Sequence, residues 1–422
     1  MFKKTLIALA VIAVASFPTG LAAQPAFQVS RGINMDQWVT WPSAEQWADD
    51  EALFPFPEWR RSVGADELTE LRSAGLDFIR MPIDPVPFTA EHAAGQRERL
   101  IREVGEAVDL ALEAGLKVIV DLHLIQGGTE LPYMSRVLEE SADFANYRQL
   151  VSDLAASLSD RDPSRVAFEL MNEPGTECSL EGHGQWSDLQ GQLHAVARAA
   201  APELTLVLTG GCGGNASGLV ALDPGLIDDD NVVWTFHSYR PFILTHQGAL
   251  WAGDLIRYVT GLPYPPHAAD PADLDARLAI VRARIRTQAP MLRRSGMIAY
   301  VEEQVEAIRT EEGLRSILRD PFERVASWAD SHGISRQAIL LGEFGMIRQE
   351  YGNPYLTKPE HRAAYYRDVV AIAEEFGFPW AMWSHGGAFG IAHEFDHRPS
   401  ESDVLDMVRG LDRFTTWSIR AD

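Results

Sequence analysis

Two stretches of this sequence run apolar and then stop in a carboxylate. One is Phe168, Glu169, Leu170, Met171, Asn172, Glu173, Pro174; the other is Ala338, Ile339, Leu340, Leu341, Gly342, Glu343, Phe344, Gly345. Each reads as a strand, and a proline cannot extend a central strand, so Glu173 is left at the carboxyl end of the first. That end is where barrels and open parallel sheets keep their chemistry. Two strand-end glutamates facing one cleft are what cleavage of a glycosidic bond requires, one as proton donor and one as nucleophile or base.

Such a pair must be positioned by a repeating scaffold, and the chain supplies one. Apolar strand candidates recur at residues 29–35, 78–83, 118–123, 166–171, 204–209, 232–239, 338–344 and 380–383. Most are separated by stretches of helical periodicity, which argues for a parallel sheet rather than a sandwich. Helical stretches at 67–74, 100–114 and 359–376 run into Gly75, Gly115 and Gly377, and glycine just past the last turn is a common helix ending. Eight is the number of strands that closes a barrel, so the expected fold is α/β, a (β/α)8 TIM barrel forming a single domain over residues 24–422. Residues 241–333, after the sixth strand, exceed a normal connection and are read as a long insertion. It opens with a Pro/aromatic loop that includes Trp251, Leu262, Pro263, Tyr264, Pro265 and Pro266, a candidate cleft wall, and turns helical near Pro271.

At the amino end, Lys3 and Lys4 precede an apolar run from Leu6 to Phe17 and small residues through Ala23. This pattern predicts a secretory signal peptide over residues 1–23 and an exported protein, periplasmic or extracellular. The balance of 37 basic against 60 acidic residues, a formal charge of -23, disfavours nucleic acid and anionic membrane surfaces as partners. A neutral substrate is indifferent to it. The two cysteines, Cys178 and Cys212, each follow a strand candidate, and an oxidising compartment makes a bridge between those loops possible. They do not suffice for a tetrahedral metal site, and no His/Cys spacing suggests one. Neither a metal nor an organic cofactor is expected, and the chain is read as a monomer.

Reading the strand ends in order gives Arg80 on the second strand, His123 on the third, Asn172 and Glu173 on the fourth, His237 and Tyr239 on the sixth, Glu343 on the seventh and Trp383 on the eighth. With this ordered set, from Arg31 to about Gly387, the chain resembles glycoside hydrolase family 5, the cellulase-like family. The resemblance implies that Glu173, in Asn-Glu-Pro, is the acid/base and Glu343, in Gly-Glu-Phe-Gly, the nucleophile. It implies that Arg80 and Tyr239 hydrogen-bond the nucleophile, Asn172 binds the sugar 2-hydroxyl, His123 and His237 line the subsite around the bond cut, and Trp383 is the sugar platform. One departure lies after the eighth strand, where Ser384 and His385 precede Gly386 and Gly387. Many family members carry an acidic or amide side chain there.

Elementary chemistry agrees with these roles. A cation and a phenol favour a charged carboxylate, whereas a neighbouring negative charge and partial burial raise the pKa of an acid. A tryptophan offers a flat apolar face to the C–H side of a pyranose. Each residue also has a plain structural alternative: Arg80 as a buried ion pair, the histidines as satisfied core groups, Trp383 as core filler. Trp38 and Trp41, after the first strand, are candidates for stacking on sugars, and Trp186 and Trp251 for the leaving-group side. The expected activity is retaining, endo-acting hydrolysis of β-1,4-glucan within an oligo- or polysaccharide. A β-mannanase, an exo-β-1,3-glucanase, a β-glucosidase and a non-catalytic carbohydrate-binding barrel are the rival readings.

Overall fold

The structure, a computed structural model, describes residues 25–39, 63–123, 133–139, 141–394 and 398–414. The expected leader at residues 1–23 and Trp41 lie outside them. Eight strands form in the expected order: β1 (Arg31–Asn34), β2 (Phe78–Ile83), β3 (Lys117–Leu122), β4 (Val166–Glu169), β5 (Thr205–Thr209), β6 (Val232–His237), β7 (Ile339–Phe344) and β8 (Trp380–Met382). Each pairs in parallel with its successor, and β8 pairs with β1, closing the barrel. Several strands are shorter than their apolar runs. β4 stops at Glu169, and beyond it the backbone meets the neighbouring strands through isolated bonds, Leu170 N–H to Val207 O (3.3 Å) and Asn172 N–H to Leu122 O (3.0 Å).

Period-two alternation divides each strand between two cores. Phe78, Ile119, Ala167, Val207, Val233, Leu340 and Ala381 point inward from β2 to β8, and Phe27 and Val29 close the bottom of the barrel. Two residues further on, the interior turns polar: Arg80, Asp121, Glu169, Thr209 and Thr235 are all buried. The outward-facing residues meet the helices. In α2 (Arg97–Glu113), Leu100, Val104, Ala107, Val108 and Ala111 form one buried stripe at helical spacing. Full burial of a Leu or Val of this kind stabilises the fold by roughly 1.5–3 kcal/mol.

The remaining helices are α1 (Ala65–Ser73), α3 (Ala142–Leu158), α4 (Leu180–Ala200), α5 (Ala216–Val220), α6 (Pro271–Gln288), α7 (Arg294–Ala307), α8 (Glu311–Ser331), α9 (Pro359–Phe376) and α10 (Asp403–Phe414), besides a short helix at Tyr133–Leu138 and single turns. α9 starts with Pro359 in its first turn and ends at Gly377 in the left-handed conformation, φ 72°, as its sequence predicts. Within residues 241–333, α8 joins the helical layer: Phe322 meets the Phe236 ring edge-on at 5.6 Å, and Trp328 donates to Leu222 O. α6 and α7 bridge each other through Arg282 and Glu302 (2.7 Å). The preceding loop is fastened to α9 by the Tyr264 hydroxyl, which donates to Asp368 (2.7 Å). Among the described residues, no helix is long and apolar enough to cross a membrane.

Candidate active site

The polar layer above the barrel core is built around Arg80. Its guanidinium, fully buried, donates to both oxygens of Glu169 (2.7 and 2.8 Å), to Glu343 Oε1 (2.7 Å) and to the amide oxygens of Asn34 (2.8 Å) and Asn172 (2.6 Å), and lies 3.0 Å from Asp121. One cation thus serves three buried carboxylates. Removal from water dominates over Arg80 at two of them: Asp121 is pushed up to about 7, and Glu169 is raised as well.

Glu343 takes a donor on each oxygen, Arg80 on Oε1 and the Tyr239 hydroxyl on Oε2 (2.7 Å). Burial, together with the adjacent Glu343, holds Tyr239 well above the usual phenol range, so the hydroxyl keeps its proton and donates. Strict alternation from the inward Leu340 would turn Glu343 away from this layer. A register shift prevents that: Phe236 pairs with Leu341 and His237 with Glu343, leaving Gly342 as an extra residue. The bulge brings Glu343 inward. It is open only to glycine, because a Cβ at Gly342 would lie 2.5 Å from Thr235 Oγ1 and 2.9 Å from His237 Nε2.

Glu173 stands on the loop after β4 with 37% of its side chain exposed, against 4% for Glu343. Its Oε1 is 2.6 Å from His237 Nδ1. Desolvation raises its pKa above the ordinary value, opposed by the nearby His123 and Arg80. Burial is one of the two raising causes expected from the sequence, beside the charge of a neighbouring carboxylate. His237 is pushed down to about 4, again by burial, and its Nε2 has no hydrogen-bond partner among the described residues. Oxygens of Glu173 and Glu343 and a nitrogen of His237 all lie within 4.8 Å of one another.

The other strand-end residues converge on the same rim. His123 meets Asp121 through Nδ1 (2.9 Å) and the Asn172 amide nitrogen through Nε2 (3.3 Å), and burial lowers its pKa. Trp383, half-buried, stacks on His123 with centroids 5.2 Å apart. Cys178 and Cys212 are bridged, joining the loops after β4 and β5. Beside them Gly213 N–H donates to Pro174 O (2.9 Å), so the bridge braces the segment that carries Glu173.

Two tryptophans expected at the cleft are elsewhere. Trp38 is 3% exposed and packs in the core between strands and helices, so it presents no face to a sugar. Trp186 is likewise buried, its indole donating to Thr209 O (2.8 Å). Trp251 is 59% exposed and reaches the site through other rings: it meets His246 edge-on at 5.3 Å, and His246 meets Tyr239 at 5.1 Å. A cavity of about 680 Å³, lined by Phe242, Leu255, Ile256, Leu292, Met297 and Tyr300 among others, lies further out in the insertion, not over the carboxylates. The strand-end motifs assign no role to Asn34, Asp121 or Glu169. Alternation pointed to two of them, since Asp121 falls two residues from the inward Ile119 and Glu169 two from Ala167.

Comparison with known proteins gives a consistent result. The family model described as Cellulase (glycosyl hydrolase family 5) matches residues 36–388. Cellodextrinase A of Ruminococcus flavefaciens is 24% identical over 312 residues, 73% of this chain and 84% of that protein. Endoglucanase C of Acetivibrio thermocellus is 20% identical over 381 residues, 89% of this chain and 97% of its own length. Among solved structures, endoglucanase Cel5A of Thermotoga maritima superposes with a TM-score of 0.62 at 19% identity, covering 90% of this chain and 96% of that one. Cellulose synthase subunit Z of Clostridioides difficile gives the same TM-score at 18% identity, covering 90% and 99%. These similar structures share the barrel fold.

Proposed function

The chain belongs to glycosyl hydrolase family 5, and from that membership we propose that it cleaves β-1,4-linked glucan within the chain, with retention of anomeric configuration, using Glu343 as nucleophile and Glu173 as acid/base. The observation that carries this reading is the approach of the two carboxylates, with oxygens within 4.8 Å of each other on one rim. Direct attack with retention uses carboxyl groups about 5–5.5 Å apart, whereas an interposed water needs about 6.5–9.5 Å. The endoglucanase and cellodextrinase names of the relatives support β-1,4-glucan as the substrate class.

In the first step Glu343 attacks the anomeric carbon while Glu173 gives its proton to the departing glycosidic oxygen, leaving a glycosyl ester on Glu343. In the second, Glu173, now ionised, takes a proton from water, which attacks the same carbon and releases Glu343. The unlike surroundings divide the roles. Arg80 and Tyr239 fix both oxygens of Glu343 and aim it, while Glu173 is desolvated, partly exposed to the cleft and above the ordinary carboxylate range. A neutral His237 donating from Nδ1 to Oε1 leaves the proton of Glu173 on Oε2, free to face the leaving group. Asn172, its oxygen tied to Arg80, turns its amide nitrogen toward the sugar 2-hydroxyl. Trp383, backed by His123, is the platform for the glycone, and Trp251 extends the leaving-group side. The basic and apolar start of the sequence supports export ahead of this activity.

The test combines Glu343→Gln with product analysis. The variant should keep the wild-type melting curve and lose turnover of soluble β-glucan, and NMR of wild-type products should show the β-anomer first. An initial α-anomer, or an active Glu343→Gln, would sink the assignment.

A further inference from the structure

Two groups of three metal-competent side chains converge among the described residues: Glu173, His237 and Glu343 in the cleft, and Glu67, His385 and His393 away from it. We propose that Glu67, His385 and His393 form a site for one divalent transition-metal ion of the zinc type, which clamps the loop after β8 to α1. Glu67 comes from the first turn of α1, His385 from two positions past Trp383, and His393 from eight residues further along the same loop.

Both imidazoles present Nε2 to a single carboxylate, His385 to Oε1 at 2.8 Å and His393 to Oε2 at 3.4 Å, with their rings 66° apart. Zinc bonds of about 2.0–2.1 Å in tetrahedral array place ligand atoms about 3.3–3.4 Å apart. Each imidazole nitrogen lies within roughly half an ångström of that spacing from its own Glu67 oxygen, one at Oε1 and the other at Oε2, and one ligand atom from each of the three residues lies within 4.8 Å of the others. Two imidazoles and a carboxylate form a donor set that suits zinc over calcium or magnesium, which prefer all-oxygen cages. Partial exposure of Glu67 (17%) and His393 (13%) leaves room for a water as fourth ligand and a path for entry.

The surroundings hold these ligands in place. The carbonyl of His385 accepts from Ala392 N–H and His393 N–H, both at 3.0 Å, so the two histidines stand at the closed neck of their loop. On the other side, Arg362 donates to Gly390 O (2.8 Å) and Arg348 pairs with Glu394 (2.6 Å). Asp36 accepts from Gly386 N–H (2.9 Å) and so fixes the backbone next to His385. A cation bound here is compensated by the Glu67 carboxylate, and the backbone that carries the two histidines is held by its own hydrogen bonds.

The experiment is titration of the chelator-stripped full chain with Zn²⁺ by calorimetry, alongside thermal melts and Co²⁺ absorption spectra. One equivalent should bind, raise the melting temperature, and give the intense visible bands of tetrahedral Co²⁺. His393→Gln and, separately, Glu67→Gln should weaken binding at least tenfold and lose those bands; having both variants keeps the test open should one fail to fold. No binding at micromolar Zn²⁺, unchanged binding in both variants, or binding abolished by Glu173→Gln instead would each overturn the proposal, the last by assigning the metal to the cleft. Because none of these readouts is turnover, the result is independent of the glucan-hydrolysis reading.

Discussion

The bulge at Gly342 makes a prediction that separates positioning from chemistry. In Gly342→Ala the new methyl would meet Thr235 Oγ1 at 2.5 Å and His237 Nε2 at 2.9 Å. Comfortable contacts lie at about 3.5–4.0 Å, so roughly 1 Å must be found. Neither neighbour can yield, because Thr235 and His237 are buried on a strand paired on both sides. The displacement therefore falls on the bulge and on Glu343, which loses its alignment with Arg80 and Tyr239. Overpacking of this size costs about 1–3 kcal/mol of stability, and a misplacement near 1 Å costs on the order of 100-fold in rate. That is about 2.7 kcal/mol of transition-state stabilisation. The assay is kcat/KM on an aryl β-cellobioside together with a thermal melt, for Gly342→Ala and for the double variant with Thr235→Ala. Removing the Thr235 hydroxyl relieves the shortest contact and should return part of the lost rate. Wild-type kcat/KM in Gly342→Ala would refute the reasoning, as would a double variant no better than the single.

Other consequences are equally accessible. Because desolvation raises the pKa of Glu173, its proton survives above the ordinary 4.5, and hydrolysis of poor leaving groups should be retained at low pH and fall as pH rises through that raised pKa. The alkaline limb in kcat/KM should vanish for a dinitrophenyl glycoside, whose departure needs no proton; an identical limb for both substrates would contradict the acid role. Replacing Cys178 and Cys212 by serine opens a bridge spanning 34 positions and should lower stability by roughly 3–4 kcal/mol, read from denaturant midpoints. Arg80→Ala strips the cation from Asp121, Glu169 and Glu343, and should cost about 3–5 kcal/mol in the same measurement. Trp251→Ala should raise KM for long cello-oligosaccharides roughly 5- to 10-fold, on the order of 1 kcal/mol, and leave the aryl cellobioside within twofold; equal effects on both would place the ring off the substrate path.

Much of this was readable in the sequence. Eight apolar runs alternating with helical ones specify the closed barrel, because both periodicities are local properties of the chain. Residues at the carboxyl ends of strands had to share one rim, and Arg80, His123, Asn172, Glu173, His237, Tyr239, Glu343 and Trp383 do so. Tryptophan placement was not readable, since an indole serves a core as well as a cleft: Trp38 and Trp186 took the first use and Trp251 escapes it. The orientation of Glu343 depends on a shift of register between β6 and β7, which no pattern within β7 announces. Nor could the three carboxylates around Arg80, or the meeting of Glu67 with two histidines more than 300 residues away, be read in advance. Local sequence sets each strand and the face each side chain takes along it; which distant charges share one proton or one cation is decided only when the barrel closes.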